Sequence, residues 1–375
     1  MAGDVARPSP DRDPWPKRLA DAVRLTVRRP ASLIDRFYDL PLTLVLVAMV
    51  GGIGYFHPAF LNHYSLQNIG TLAAYYGTMS FGMVFLLSMR EIDLSVGSVF
   101  GLSIVVVASC IENGITPWLA AAIGLCVGPL CGLLNAAIAN GLRIQTIIVT
   151  LGTLSIYRSL GLIISGDRIL TGDLPTGDSY FQVLGGSFLD IPVSIWMFAL
   201  AAFVLHVVYR YTPFGFDVRA IGSNTDAARL AGISLPAKRL QALVLQGFLS
   251  ALAGVVSFAY LEAGDPVSGT GFELSVIAAA IIGGTALAGG QGSIFGALIG
   301  SLIIAVITTG LIQFGVTQDW ALFATGAAIV VAVALDALLK RRRLHAAERL
   351  GAVAAAVPHD PDDAGGSTPH VPATE

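Results

Sequence analysis

Apolar runs of about 20 residues, separated by short polar or glycine-rich joints, fill the chain from residue 41 to residue 339. A helix needs about 20 mostly apolar residues to cross the hydrocarbon core of a bilayer. The pattern predicts an all-α polytopic membrane protein with ten spans, at 41–57, 66–88, 94–111, 117–140, 145–165, 191–210, 238–262, 272–289, 292–314 and 319–339. The ends of spans two, three, eight and nine fall in short, glycine-rich joints.

The charged positions give these spans a direction. Of the 22 lysines and arginines, eight precede residue 40, five lie in 210–239 and five lie from Lys340 onward; Arg90, Arg143, Arg158 and Arg168 are the rest. Short basic segments stay on the cytoplasmic side of a membrane. An even number of spans puts both termini there, and the sixth span delivers the 210–239 segment to the same side. The loop at 166–190 has Asp167, Asp173, Asp178 and Asp190 against one arginine, as suits the outer face. The expected organisation is a basic cytoplasmic segment 1–40, a transmembrane domain 41–340 with a cytoplasmic loop 211–237, and a tail 341–375. The tail's Ala, Pro, Asp and Gly predict disorder.

Composition agrees. The 375 residues are 54% hydrophobic and 13% charged, against about 25% charged in soluble domains. The 42 glycines suit close helix contacts in lipid. Cys110, Cys126 and Cys131 are odd in number and match no metal spacing. They read as small buried hydrophobes. The polar first forty residues hold no short apolar core of a signal peptide.

Two segments echo each other. "DLSV" at Asp93–Val96 opens span three, and "ELSV" at Glu273–Val276 opens span eight. Gly128 and Gly132 in span four are matched by Gly296 and Gly300 in span nine. The paired spans run in opposite directions, as in transporters built from inverted repeats. The predicted repeat pairs spans 2–5 with spans 7–10. Chance matches in glycine-rich helices are the competing reading.

Catalytic motifs are missing. A phosphate-binding loop needs a Gly-Lys pair, but Lys17, Lys238 and Lys340 follow Pro, Ala and Leu. The histidines form no metal-ligand pair on a helix, and no Gly-x-Ser-x-Gly elbow is present. No enzyme and no bound cofactor or metal is expected of this chain.

The polar stretch "SNTDAARLAGISLPAKRLQ" at 223–241 interrupts the apolar pattern. Ser223, Asn224 or Thr225 can cap a helix, and Asp226 suits its first turn. Ala227, Ala228, Leu230 and Ala231 make a small apolar surface. Gly232 suits the helix end, and Pro236 blocks extension. A helix of about two turns is not stable alone. It docks either in a partner's groove or on its own protein.

"DAARLAG" resembles the Glu-Ala-Ala-x-x-x-Gly signature of ABC importer permeases, with Asp226 in place of Glu. "EIDLSVGSVFGLS" (91–103), "NAAIANGLRIQTIIVTLGTLSIYRSLGLIISG" (135–166) and "AGDPVSGTGFELSVIAAAIIGGTALAGGQGSIFGALIG" (263–300) are similar to ribose/xylose/galactose-type sugar permeases of the branched-chain amino acid/ribose permease superfamily. The likeness runs from about residue 60 to residue 340. It implies a homodimer in the bacterial inner membrane, an ABC ATPase subunit that uses the ATP, and an extracytoplasmic sugar-binding protein. It makes Asn224, Thr225, Asp226, Ala227, Ala228, Leu230, Gly232 and Pro236 the ATPase-coupling helix. Lipid is the expected surrounding, and no nucleic acid is expected. One departure stands out. In "MREID" (89–93) Glu91 stands where the family has glycine before Ile92, and Arg90 precedes it. The pair is expected to be solvated at the cytoplasmic boundary.

Candidate residues along the translocation path are Asp93, Ser95, Asn135, Asn140, Thr150, Glu273 and Ser275. All but Ser95 and Ser275 have a second reading. Asp93 and Glu273 can cap helices, and Asn135, Asn140, Gln145, Thr146, Thr150 and Thr153 can bond helices to one another. Arg158 within span five needs a partner or must snorkel; Gln241 and Gln246 are candidates. The function expected is membrane passage of a monosaccharide driven by a separate ATPase. The alternatives are a permease for a non-sugar solute and an ion-coupled carrier. The carrier needs ionisable groups deep in the membrane, whereas Asp and Glu here gather at span ends.

Overall fold

The computed structural model describes residues 39–171 and 177–317, with isolated helical positions from 320 to 334. The expectations for the segment 1–38, for Asp173, for the tenth span as a whole and for the tail lie outside the described residues.

Helices dominate. They run α1 (Asp39–Phe56), α2 (His63–Ser88), α3 (Val96–Glu112), α4 (Pro117–Leu142), α5 (Thr146–Ser165), α6 (Ser179–Leu184), α7 (Val193–Tyr211), α8 (Pro213–Ser223), α9 (Thr225–Leu230), α10 (Leu235–Leu261), α11 (Phe272–Ile282) and α12 (Ile294–Gln313). Six of these, α2, α4, α5, α7, α10 and α12, are long and apolar enough to cross a membrane; α1, α3 and α11 are shorter apolar helices.

Local chemistry sets the boundaries. Asn62 caps α2 by accepting from the Ser65 amide at 2.7 Å. Pro117 begins α4, where its missing N–H costs nothing. Gly166, at φ 64°, ends α5. Ser293 caps α12 through the Gly296 amide at 2.9 Å.

One boundary differs from the expectation. Span eight was expected over 272–289, but α11 stops at Ile282. Gly283 and Gly284 follow, the latter at φ 85°, and Gly289, Gly290 and Gly292 keep the next stretch out of helix. Hydropathy alone could not see that break. The all-α class stands; a two-stranded antiparallel ribbon of two residues each, β1 (Ser187–Phe188) and β2 (Ile191–Pro192), lies between α6 and α7.

The helix bundle has two ends, joined by α7. One carries α8 and α9, which belong to the basic 210–239 segment; the other carries residues 166–171 and 177–190 of the acidic loop. That loop is anchored: Leu170 pairs with Gly264, and the Tyr180 hydroxyl donates to the Val255 carbonyl at 2.7 Å. Burial pushes the Tyr180 phenol above its ordinary pKa.

α2 is enclosed nearly throughout and α10 over most of its length, while α4, α5 and α7 are largely exposed. Glycine sets the closest crossings. A Cβ at Gly128 would lie 2.0 Å from the Gly247 carbonyl oxygen, so α4 and α10 touch backbone to backbone. Gly296 and Gly300 do the same for α12 against Gly283 and Ala279. The two glycine pairs of the sequence echo therefore face different kinds of partner, α10 in one case and α11 with its following joint in the other. The packing is nevertheless paired: α4 packs on α10 as α12 packs on α2, α3 on α10 as α11 on α2, and α3 on α4 as α11 on α12.

Candidate functional site

At the basic end, α7 turns into a helix that the sequence reading missed. α8 begins at Pro213 under the Thr212 cap. Asp217 pairs with Lys238 at 3.0 Å, and Phe214 stacks on Phe85 at 5.3 Å. A proline in the first turn after a capping threonine was the available signal.

α9 follows directly. Of the three candidate caps, Asn224 serves, its Oδ1 accepting from the Ala227 amide at 3.0 Å. The Thr225 hydroxyl donates back to the Ile221 carbonyl at 2.9 Å. Asp226 is exposed in the first turn. Gly232, at φ 84°, ends the helix: its amide bonds to Arg229 and the next amide, of Ile233, to Ala228. Pro236 has a different role from the one expected. α9 ends before it, and Pro236 lies in the first turn of α10, which starts at Leu235 rather than 238. The apolar surface also divides. Ala228 is 5% exposed and packs on its own protein, while Leu230 is 91% exposed. Ala227, Arg229 and Ala231 are exposed with it.

A buried polar network lies between α3, α4 and α5. Asp93 Oδ1 accepts from the Ser95 amide at 2.8 Å and from its hydroxyl at 2.6 Å. Asn135 Nδ2 donates to Ser95 Oγ at 3.0 Å, and the Tyr157 hydroxyl donates to Asn135 Oδ1 at 2.9 Å. The Leu94 amide donates to Thr150 Oγ1 at 3.1 Å. Asp93, Ser95, Asn135 and Thr150 are thus brought together. Tyr157 was overlooked, although Thr146, Thr150, Thr153 and Tyr157 recur at helical spacing. Asp93 is 2% exposed, so this acid is enclosed rather than at an exposed span end.

Asn140 stands apart, donating to the Pro236 carbonyl and accepting from Arg239, both at 3.0 Å. The expectation that Arg90 and Glu91 are both solvated fails for Glu91, which pairs with Arg239; their side chains are 11% and 13% exposed.

The third part is where the starts of α3 and α11 meet. A Cβ at Gly97 would lie 2.3 Å from the Gly269 carbonyl oxygen and 2.8 Å from Glu273 Oε2. That Glu273 oxygen is buried without a hydrogen-bond partner. Ser275 is buried one turn along α11. Arg158 reaches the same loop, its Nη1 donating to the Ser268 carbonyl at 2.7 Å and the Pro266 carbonyl at 3.3 Å. Neither glutamine proposed as its partner serves: Gln246 donates to the Met79 carbonyl at 3.1 Å, and Gln241 is exposed. Two helix N-termini, a carboxylate and a guanidinium therefore converge inside the bundle.

The chain is 37% identical over 302 residues to the ribose import permease protein RbsC of Bacillus subtilis (strain 168), covering 80% of this chain and 91% of that protein. It is 33% identical over 308 residues to the D-allose transport system permease protein AlsC of Escherichia coli (strain K12), covering 82% and 93%. It is 32% identical over 337 residues to the L-arabinose ABC transporter permease protein AraH of Azospirillum brasilense, covering 90% and 95%. No solved structure matches the chain. Residues 65–333 match the family described as branched-chain amino acid transport system / permease component, and the chain belongs to that family.

Proposed function

We propose that this chain is the membrane subunit of an ATP-driven importer for a monosaccharide of the ribose, xylose or galactose kind. Two copies form the passage, an ABC ATPase docks at the basic end, and a sugar-binding protein delivers solute at the acidic end. Both termini and α9 are cytoplasmic, ten spans cross the inner membrane, and spans 2–5 and 7–10 form an inverted repeat. The paired packing of α2, α3 and α4 with α10, α11 and α12 supports the repeat. One observation carries the docking claim: α9 is held to its own chain by Ala228 while it offers Leu230, Ala227 and Arg229 to a partner. The printed names of the relatives, for ribose, allose and arabinose, support the sugar class.

The enclosed Asp93 favours a second reading, an ion-coupled carrier. Against it, both Ser95 groups already bond that carboxylate. Gentle purification from native membranes with mass spectrometry tests the proposal. A co-purifying ATPase with a Gly-x-x-x-x-Gly-Lys-Ser/Thr loop, and a sugar-loaded binder, are expected. Recovery of the chain alone, with uptake abolished by an uncoupler at constant ATP, would favour the carrier.

A further inference from the structure

We infer that Arg90 and Glu91 form the joint through which movement of α8 and α9 reaches the interior path, and that the Glu91–Arg239 pair must hold for import to stay coupled to ATP hydrolysis. The inference rests on the importer reading above.

The end of α2 is a left-handed cap with Arg90 at the position glycine usually takes. Arg90 has φ 65°, its amide bonds to the Leu87 carbonyl, and the Glu91 amide bonds to Leu86. A non-glycine residue there costs about 1 kcal/mol. Surrounding contacts hold it. Arg90 Nε donates to the Ala288 carbonyl at 2.7 Å and Nη2 to the Ser223 carbonyl at 3.4 Å. The Gly290 amide donates to the Ser88 carbonyl at 2.9 Å. A Cβ at Gly222 would lie 1.7 Å from that same Ser88 oxygen. The end of α2, the end of α8 and the joint after α11 are thus pressed together, with the Arg90 side chain spanning them.

Glu91 adds the fourth element. Arg239 lies in the second turn of α10, joined to α9 by residues 231–234. Its Nε and Nη2 reach Glu91 Oε1 at 2.9 and 2.5 Å, and its Nη1 reaches Asn140 on α4 at 3.0 Å. A pair this enclosed fixes geometry, since removing one partner strands a buried charge. Two residues beyond Glu91, Asp93 opens the network to Ser95, Asn135 and Tyr157. A displacement of α9 therefore has a continuous route through Arg239, Glu91 and Asp93 to the start of α3 and its contact with Gly269.

The experiment measures solute imported per ATP hydrolysed by the complete transporter in proteoliposomes. The variants are Glu91→Gln, Arg239→Gln, the two combined, and the exchange Glu91→Arg with Arg239→Glu. The Gln variants are expected to lower the ratio about fivefold while hydrolysis continues, and the exchange to recover it to within about twofold. A parent-like ratio in the doubly neutral variant overturns the inference, because that variant strands no charge while it removes the ion pair and the Arg239 bond to Asn140. Should the exchange variant not assemble, Arg90→Ala decides, with about a twofold loss expected and a parent-like ratio contradicting the joint. Absence of ATP-driven import in the parent itself would overturn the importer reading instead.

Discussion

Ala228 and Leu230 lie two positions apart on α9 and meet opposite surroundings. Leu230→Glu changes only the outward surface, so it is expected to abolish ATP-driven uptake while thermal unfolding in detergent stays at the parent temperature. Uptake at the parent rate would remove α9 from the docking surface. Ala228→Glu puts a charge into a site that is 5% exposed. It is expected to cost on the order of 3 kcal/mol, visible as a lowered unfolding temperature, so lost uptake there would not report on docking. Tyr157→Phe removes the hydroxyl that satisfies Asn135 Oδ1. A loss of about 1 kcal/mol in unfolding free energy is expected, and no loss would mean that the network is rearranged in the membrane. The motif at 224–232 was readable residue by residue, because capping and helix-ending preferences are local. Which alanine faces inward was not, because that depends on where α8 lays the helix down.

At the scale of elements, the crossing of α4 and α10 depends on glycine. Gly128→Ala places a Cβ 2.0 Å from a backbone oxygen that cannot swing away. It is expected to destabilise by about 1–3 kcal/mol, whereas Gly152→Ala, with nothing within 4 Å, is expected to be neutral in the same unfolding assay. Equal stability of the two variants would show that the helices separate freely. Apolar runs made most spans legible, because lipid demands about 20 apolar residues whatever the packing. The eighth span was misread for the same reason: residues 283–289 remain apolar or small, yet their glycines release the backbone from helix. Arg239 as the partner of Glu91 was illegible, since 148 residues separate them in sequence.

For the whole molecule, the acidic and basic ends are proposed to face opposite sides of the membrane. Cys126 is exposed and Cys110 half-buried, against the expectation that all three cysteines are buried, so in a Cys110→Ser, Cys126→Ser background a cysteine at Asp190 is expected to react with an impermeant maleimide in intact cells. One at Asp226 is expected to react only after the membrane is opened, and the reverse pattern would invert the topology. The most direct test of the central claim is uptake by proteoliposomes that hold this chain with its ATPase and its sugar-binding protein. Solute is expected to accumulate only with ATP on the side of α9, and Leu230→Glu is expected to stop it. Accumulation by this chain alone, driven by an ion gradient without ATP, would contradict the account.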